Sequence, residues 1–382
     1  MLTRHPKKET TLNNEPITLP EGVPPLNTYY FYLTTGCNLA CQHCWLAPQY
    51  QPDGGTGGHL SFDLFKLAIE EGLPLGLSRV KLTGGEPLLH PDFVRMIDFL
   101  KEKKLGVTIE TNGTLMTPQL ASQLRGSGVV SDISVSIDGA TAKTHDAFRG
   151  VKGSFDKACQ GMDYLVAAGF RPQIIMSLHT GNVDEIEAEI KLAEKLGAAS
   201  LKFNIVQPSG RGETMTRRNQ VLDIKRLVEL GCRIETELQK NTQVRLFFSH
   251  PMAFFNLKRL LDHPSDSCGI FSILGILSTG QLAMCGIGIE IPELVYGKLG
   301  VERIADVWYH HPMLLALRRD LPEKLEGICG DCMFRPQCLG GCVAENYHQA
   351  KRLTAPFWFC QQALEAGLFP VSRIRMLAAV EK

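Results

Sequence analysis

Short apolar runs recur at even intervals from Tyr29 to about Val206, each followed by a stretch with helical spacing of its apolar residues. The runs Tyr29–Thr34, Arg79–Thr83, Val107–Glu110, Ile133–Ile137, Gln173–Leu178 and Ser200–Ile205 read as strands. The stretches Phe62–Glu71, Phe93–Lys104, Pro118–Leu124, Ser154–Ala168 and Val183–Leu196 read as helices. The last of these places Asn182 as an N-cap, Glu185 at the capping-box position and Gly197 as a C-cap. Six β/α units predict an α/β fold, with a parallel sheet and right-handed crossovers, closed or partly closed like a barrel. In such folds chemistry gathers at the C-terminal ends of the strands, so unusual residues should follow each strand.

They do. After the first strand comes Gly36-Cys37-Asn38-Leu39-Ala40-Cys41-Gln42-His43-Cys44-Trp45; after the second, Thr83-Gly84-Gly85-Glu86-Pro87; after the third, Glu110-Thr111-Asn112-Gly113. The fourth carries Ser134-Val135-Ser136-Ile137-Asp138-Gly139, then His145-Asp146 and Arg149-Gly150. The sixth runs from Asn204 into Gln207-Pro208-Ser209-Gly210-Arg211-Gly212. Each tip alone is a weak signal; together they mark one face of the sheet as functional.

Outside this alternation, residues 1–26 read as a polar, Pro-rich arm, 27–210 as the core and 211–260 as a bridging region with a helix over Val221–Gln239. Residues 261–382 form a further unit with cysteines spaced among short elements. Composition narrows the class. The chain has 382 residues, 44% hydrophobic and 21% charged, which excludes disordered and fibrous proteins. A net charge of +0 argues against a nucleic-acid or anionic-membrane surface. The start has no apolar signal segment, so a cytoplasmic protein is expected. Cys268–Ile289 lacks any charged residue, but Ser278-Thr279-Gly280-Gln281 divides it into two apolar runs, Ile273–Leu277 and Leu282–Met284. It therefore reads as a buried hairpin and not as a membrane span.

The anomaly is 12 cysteines in a chain expected in a reducing compartment, where structural disulfides are rare. Cys37, Cys41 and Cys44 form C-x3-C-x2-C. Three thiolates on one loop can bind three irons of a cubane and leave the fourth open. Zinc competes, yet it prefers four ligands and His43, beside Cys44, is poorly spaced for the fourth; the spacing favours iron–sulfur. Cys159 and Cys232 lie in helical patterns and read as small buried hydrophobes, with a hydrogen-atom donor as the functional alternative.

The cysteine loop after the first strand, GGEP after the second, and the SIDG strand followed by Arg–Gly resemble, in that order, the radical S-adenosylmethionine (SAM) enzymes. The resemblance covers residues 27–210 and implies a partial (β/α)6 barrel. It implies a [4Fe-4S] cluster on Cys37, Cys41 and Cys44 whose open iron chelates SAM. In that setting Gly84 and Gly85 admit the methionine part of SAM to the backbone, Glu86 accepts from its ammonium, and Pro87 fixes the exit. Asn112 becomes a candidate ribose contact, Ser136 a contact to ribose or carboxylate, and Arg149 a carboxylate contact. Alone, Asn112 and Ser136 would read as ordinary turn and strand-end residues, and Arg149 as a surface ion pair.

The C-terminal cysteines are similar to the SPASM extension, a small α+β twin-cluster domain. That resemblance implies two auxiliary [4Fe-4S] clusters, one on Cys268, Cys285 and Cys342, the other on Cys329, Cys332, Cys338 and Cys360. The first set lacks a fourth cysteine; Asp266 is the nearest acid, in a turn where a solvated carboxylate is ordinary. SPASM relatives modify ribosomally made peptides or proteins. Sulfatase maturases place an acid beside the hairpin cysteine, but here Cys285 precedes Gly286 and the nearest acid is Glu290. The expectation is a peptide crosslink, thioether or C–C. Oxidative tailoring of a small molecule or tetrapyrrole precursor, and peptide epimerisation, are the alternatives. From another class stands a non-catalytic metal scaffold, which has no need of GGEP. The resemblance also implies a flavodoxin or ferredoxin-type electron donor. For a leader-bearing peptide, the short arm leaves recognition to a separate protein or another surface.

Overall fold

Parallel strands β1 (Thr28–Tyr32), β2 (Arg79–Thr83), β3 (Gly106–Thr111), β4 (Val130–Ser136), β5 (Gln173–Leu178), β6 (Ser200–Ile205) and β7 (Arg245–Phe248) follow one another across the sheet. This arrangement comes from a computed structural model, which describes residues 18–262 and 268–375. Beyond β1 the sheet continues through β8 (Ile273–Ile276), parallel to it, and then antiparallel β9 (Gln281–Ala283) and β10 (Val295–Lys298). The order is β10-β9-β8-β1-β2-β3-β4-β5-β6-β7, with β10 and β7 as unjoined edges among the described residues. The barrel is therefore partial.

Outer helices α1 (Phe62–Gly72), α2 (Phe93–Glu102), α3 (Pro118–Ser127), α4 (Ala142–Arg149), α5 (Ser154–Ala167) and α6 (Ile186–Lys195) accompany the parallel strands. In α1, Ser61 caps the N-terminus by accepting from Leu64 N, and Phe65, Ala68, Ile69 and Gly72 share the buried face. Strand residues Val80, Leu82, Val107, Ile109, Ile174, Met176, Leu201 and Phe203 are all buried. Strand alternation turns Tyr30, Lys81, Glu110 and Lys202 to the other face, so the inner wall of the barrel carries charge.

Four local readings are corrected. A seventh parallel strand, β7, lies in what reads as a mixed segment; its RLFF is too short for a periodic signal. Helix α4 was not expected, because AKTHDAFR has little apolar periodicity. The helix expected over Val221–Gln239 is α8 (Ile224–Thr236), preceded by α7 (Arg211–Arg217), with Asp223 accepting from Arg226 N as its cap. Asn182 makes no capping bond. Its Nδ2 instead donates to Asp138 O and Ser177 O, while Glu185 accepts from Ala140 N, so both residues tie α6 to the strand tips.

The uncharged stretch Cys268–Ile289 contains the β8–β9 hairpin, with Gly280 at φ +80° in its turn. Among the described residues no helix is long and apolar enough to cross a membrane. The remaining chain adds α9 (Leu257–Asp262), α10 (Ile304–His310), α11 (Pro312–Asp320), α12 (Gly327–Asp331), α13 (Arg335–Cys338), α14 (Val343–Ala350) and α15 (Trp358–Glu365). Buried Trp308 donates its Nε1 to Pro24 O at 2.9 Å, and Ile304 N donates to Glu71 at 2.6 Å. These bonds join the late helices to the N-terminal side of the barrel.

Candidate active site

The loop after β1 is held from three sides. On one side Gly36 N donates to Thr56 O and Gln51 N to Cys37 O, at 2.7 and 2.8 Å. On the second, Ala40 N and Gln42 N donate to Arg149 O and Phe148 O, each at 3.0 Å, and Gln42 Nε2 donates to Ala147 O. These are carbonyls of the last turn of α4, which lack partners within the helix, so the cysteine loop satisfies the helix end. On the third, Arg211 N donates to Cys44 O, and its guanidinium donates to Cys41 O and Pro48 O.

Cys37, Cys41 and Leu39 form a small buried cluster with Cys44 packed against it. Burial raises the Cys37 thiol to about 12 and that of Cys44 to about 11. Cys37 Sγ accepts from Leu39 N at 3.4 Å, with Asn112 Nδ2 3.9 Å away, and Cys41 Sγ accepts from Arg149 Nη1 at 3.5 Å. Buried thiols surrounded by N–H donors and a cation suit a cluster ligated by thiolates, whose charge those donors stabilise. Among the described residues no three His, Cys, Asp or Glu side chains converge as ligands of one ion. His43 is stacked face to face on Phe148 at 4.4 Å, which is in turn stacked on His179 at 4.0 Å.

Gly84 and Gly85 are required by packing. Gly84 has φ +134°, and a Cβ on Gly85 would fall 1.9 Å from Gly36 O. Glu86 is buried and accepts from Thr111 Oγ1 at 2.6 Å, Asn112 N at 2.8 Å and Leu88 N at 3.1 Å. Three of roughly four acceptor positions on a carboxylate are thereby used. Burial raises its pKa although these donors oppose the shift. Pro87 opens the short turn that Glu86 caps. Asn112 donates to Asn38 Oδ1 and accepts from Thr114 N and Oγ1, joining the β3 tip to the cysteine loop. Ser136 ends β4, half-buried. Arg149 is buried, its Nε 2.5 Å from Asp138 Oδ2. Burial alone would raise the Asp138 carboxyl, but Arg149, then His43 and Ser177 N–H, hold it below the usual carboxylate range.

The other cysteines gather in two groups. Half-buried Cys285 and the exposed Cys268 and Cys342 form one group whose charges act on one another, and desolvation raises Cys285 to about 12. Lys81 lies 2.6 Å from Glu110 and 4.7 Å over the Tyr30 ring, and its charge opposes the upward shift of the Cys268 and Cys285 thiols. Asp266 lies outside the described residues. Oxygen-bearing side chains acting on this trio are Tyr30, Tyr32, Tyr296 and Glu345. Cys329, Cys332, Cys338 and Cys360 line one narrow cavity with Phe334 and Phe369. Phe357 N donates to Cys329 Sγ at 3.3 Å and Phe334 N to Cys332 Sγ at 3.4 Å. Cys159 is only half-buried on α5 and Cys232 is exposed on α8, so neither is the buried hydrophobe expected, and neither joins a group.

Residues that sequence reasoning passed over also build the site. Asp138 lies inside the SIDG tip and Arg211 between two glycines, but nothing in the sequence says what either touches. Trp45, directly after Cys44, packs with Tyr32 edge to face at 6.1 Å, and both rings contact Gly286.

Residues 31–193 match the model of the Radical SAM superfamily. The chain is 31% identical over 331 residues to the AdoMet-dependent heme synthase of Methanosarcina barkeri, covering 82% of this chain and 90% of that protein. It is 32% identical over 338 residues to mycofactocin maturase MftC of Mycobacterium tuberculosis, covering 86% and 81%. Among solved structures, Streptococcus suis SuiB bound to precursor peptide SuiA shares the fold at TM-score 0.68 and 17% identity, over 88% of this chain and 76% of that one. Native anSMEcpe with bound AdoMet and a Cp18Cys peptide shares it at TM-score 0.69 and 18% identity, over 90% and 96%.

Proposed function

The chain belongs to the radical SAM superfamily, with a C-terminal extension of the SPASM type, and on that premise we propose that it modifies a ribosomally made peptide, forming a thioether or C–C crosslink. The observation that carries this reading is the convergence of Cys37, Cys41 and Cys44 with GGEP and Arg149 at the strand ends. When bound, a [4Fe-4S] cluster supplies one electron to the sulfonium of SAM, whose C5′–S bond breaks to give the 5′-deoxyadenosyl radical that takes hydrogen from substrate. The protein's part is to hold and orient. Gly84 and Gly85 bring backbone close to the methionine portion, and the remaining acceptor position of Glu86 takes its ammonium. Arg149 offers Nη2 to the carboxylate, while Ser136 takes ribose or carboxylate and Asn112 the ribose.

The cysteine trio of the hairpin and the tetrad of the tail hold two auxiliary clusters. The barrel wall of Tyr30, Lys81 and Glu110 faces the trio, so substrate lies between the two metal-bearing loops. Twelve cysteines, ten of them assigned to clusters, suit a reducing cytoplasm. A flavodoxin- or ferredoxin-type protein supplies electrons, and a separate protein presents the leader. Likeness to the heme synthase of Methanosarcina barkeri favours a second reading, oxidative tailoring of a small molecule or tetrapyrrole precursor.

Anaerobic incubation with SAM and reductant tests the first step: 5′-deoxyadenosine should form and should disappear in Cys41→Ala. Its persistence in that variant would overturn the assignment. A peptide product lighter by two hydrogens supports crosslinking. Conversion of a tetrapyrrole precursor, with no change in any peptide, supports the second reading.

A further inference from the structure

Asp138 has no role in the reading above, yet it is fully buried and held by three elements. Its Oδ1 accepts from Ser177 N at 2.6 Å, on β5. Its carbonyl accepts from Asn182 Nδ2 at 3.0 Å, before α6, and its N–H donates to His145 Nδ1 at 3.1 Å, on α4. A carboxylate fixed at backbone and side chain cannot swing to solvent. The partner it holds is Arg149, 9% exposed, whose Nε lies 2.5 Å from Oδ2 while Nη1 donates to Cys41 Sγ at 3.5 Å.

Only a planar guanidinium can span two fixed partners in this way; a lysine ammonium has no second edge. A buried ion pair is weak evidence for stability, because desolvation offsets most of its attraction, so a positional role is the better account of this one. Arg149 also accepts from Ala40 N through its carbonyl at 3.0 Å, so one residue grips the Cys41 segment by backbone and side chain together. A cation and an N–H donor at a ligand sulfur favour the more negative, reduced cluster and raise its potential.

Resting on the functional reading above, we propose that Asp138 is a positioning residue: by pairing with Arg149 it keeps a guanidinium on the Cys41 sulfur and so sets the reduction potential of the cluster there. The test is a redox titration, without SAM, of the anaerobically reconstituted full chain, followed by the electron paramagnetic resonance signal that SAM perturbs in the wild type. Arg149→Met should lower the midpoint. Asp138→Asn should shift the reduction equilibrium about tenfold in the same direction, or about 59 mV for one electron. In the Arg149→Met background the same Asp138→Asn change should produce no lowering. Asp138→Glu, which keeps the charge but moves it by one methylene, should fall between, and it carries the comparison if the asparagine variant fails to fold.

Equal shifts from Asp138→Asn in both backgrounds would mean a through-space charge effect and would overturn the proposal. So would a wild-type midpoint in Asp138→Asn, or loss of the cluster there while Arg149→Met retains it. A wild-type protein without a SAM-sensitive signal would sink the functional reading itself, which is a different and recognisable result.

Discussion

Gly286 lies flat against Tyr32: a Cβ at position 286 would fall 2.3 Å from the Tyr32 ring, and 2.5 Å from Trp45. A side chain on the residue after the hairpin cysteine therefore requires these rings to shift. This packing explains why no acid stands beside Cys285, and the nearest one, Glu290, is exposed. Gly286→Ala should cost about 1–3 kcal/mol through overpacking. It should also lower iron retention at the Cys268–Cys285–Cys342 trio. Urea unfolding and iron analysis on the same preparation check both; a variant with unchanged stability would mean the rings move aside freely.

Glu86→Gln replaces one carboxylate oxygen with an amide NH2 amid three donors. At least one donor then faces another donor in a buried site, which costs about 1–3 kcal/mol. The ammonium of SAM loses its charged acceptor as well, so SAM affinity should fall at least about tenfold, the equivalent of about 1.4 kcal/mol. Equilibrium SAM binding and thermal melting measure the two effects separately.

Iron content should divide by cysteine group. Wild type should hold about twelve irons if three cubanes fill. The Cys338→Ser/Cys360→Ser double variant should lose about four of these, and adding Cys342→Ser about four more, with the SAM-perturbed signal surviving both. A single loss of about eight from the first pair would mean that the two C-terminal groups fill only together.

Acid sensitivity has a site remote from the cysteine loop. Glu235 accepts from His250 Nε2 at 2.9 Å and from Asn256 N at 3.1 Å, and pairs with Arg259 at 2.5 Å. Burial alone would raise its pKa, but His250, then Arg259 and Asn256 N–H, draw it below the usual carboxylate range. A carboxylate with a depressed folded pKa stabilises fully above its unfolded value, about 4.3, and loses that contribution as pH falls through the folded value. Glu235→Gln should therefore cost about 1–3 kcal/mol near neutrality. The gap from wild type should close below about pH 4. Urea unfolding of both proteins across that range checks the sign; a gap that widens in acid would contradict it.

Much of the barrel is written along the chain, because alternation within strands and helical spacing between them are local properties. The runs at Arg79–Thr83, Gln173–Leu178 and Ser200–Ile205 need no distant contact to be read, and their structural bounds agree. Cysteine spacing and GGEP are local in the same sense, and they carried the family resemblance. Strand β7 and helix α4 escaped because RLFF and AKTHDAFR gain their order from neighbours and not from their own pattern. Asn182 looked like a helix cap because its position allows one, yet the strand tips offered stronger partners. What only the tertiary structure decided is which groups meet: Arg149 with Asp138 and Cys41, Arg211 with the cysteine loop, Lys81 with Glu110. Arg149 and Cys41, and Arg211 and Cys41, stand on different β/α units, whose approach depends on the curvature and closure of the sheet. Sequence therefore determined the cysteine spacing and the frame; the fold determined the charges set around them.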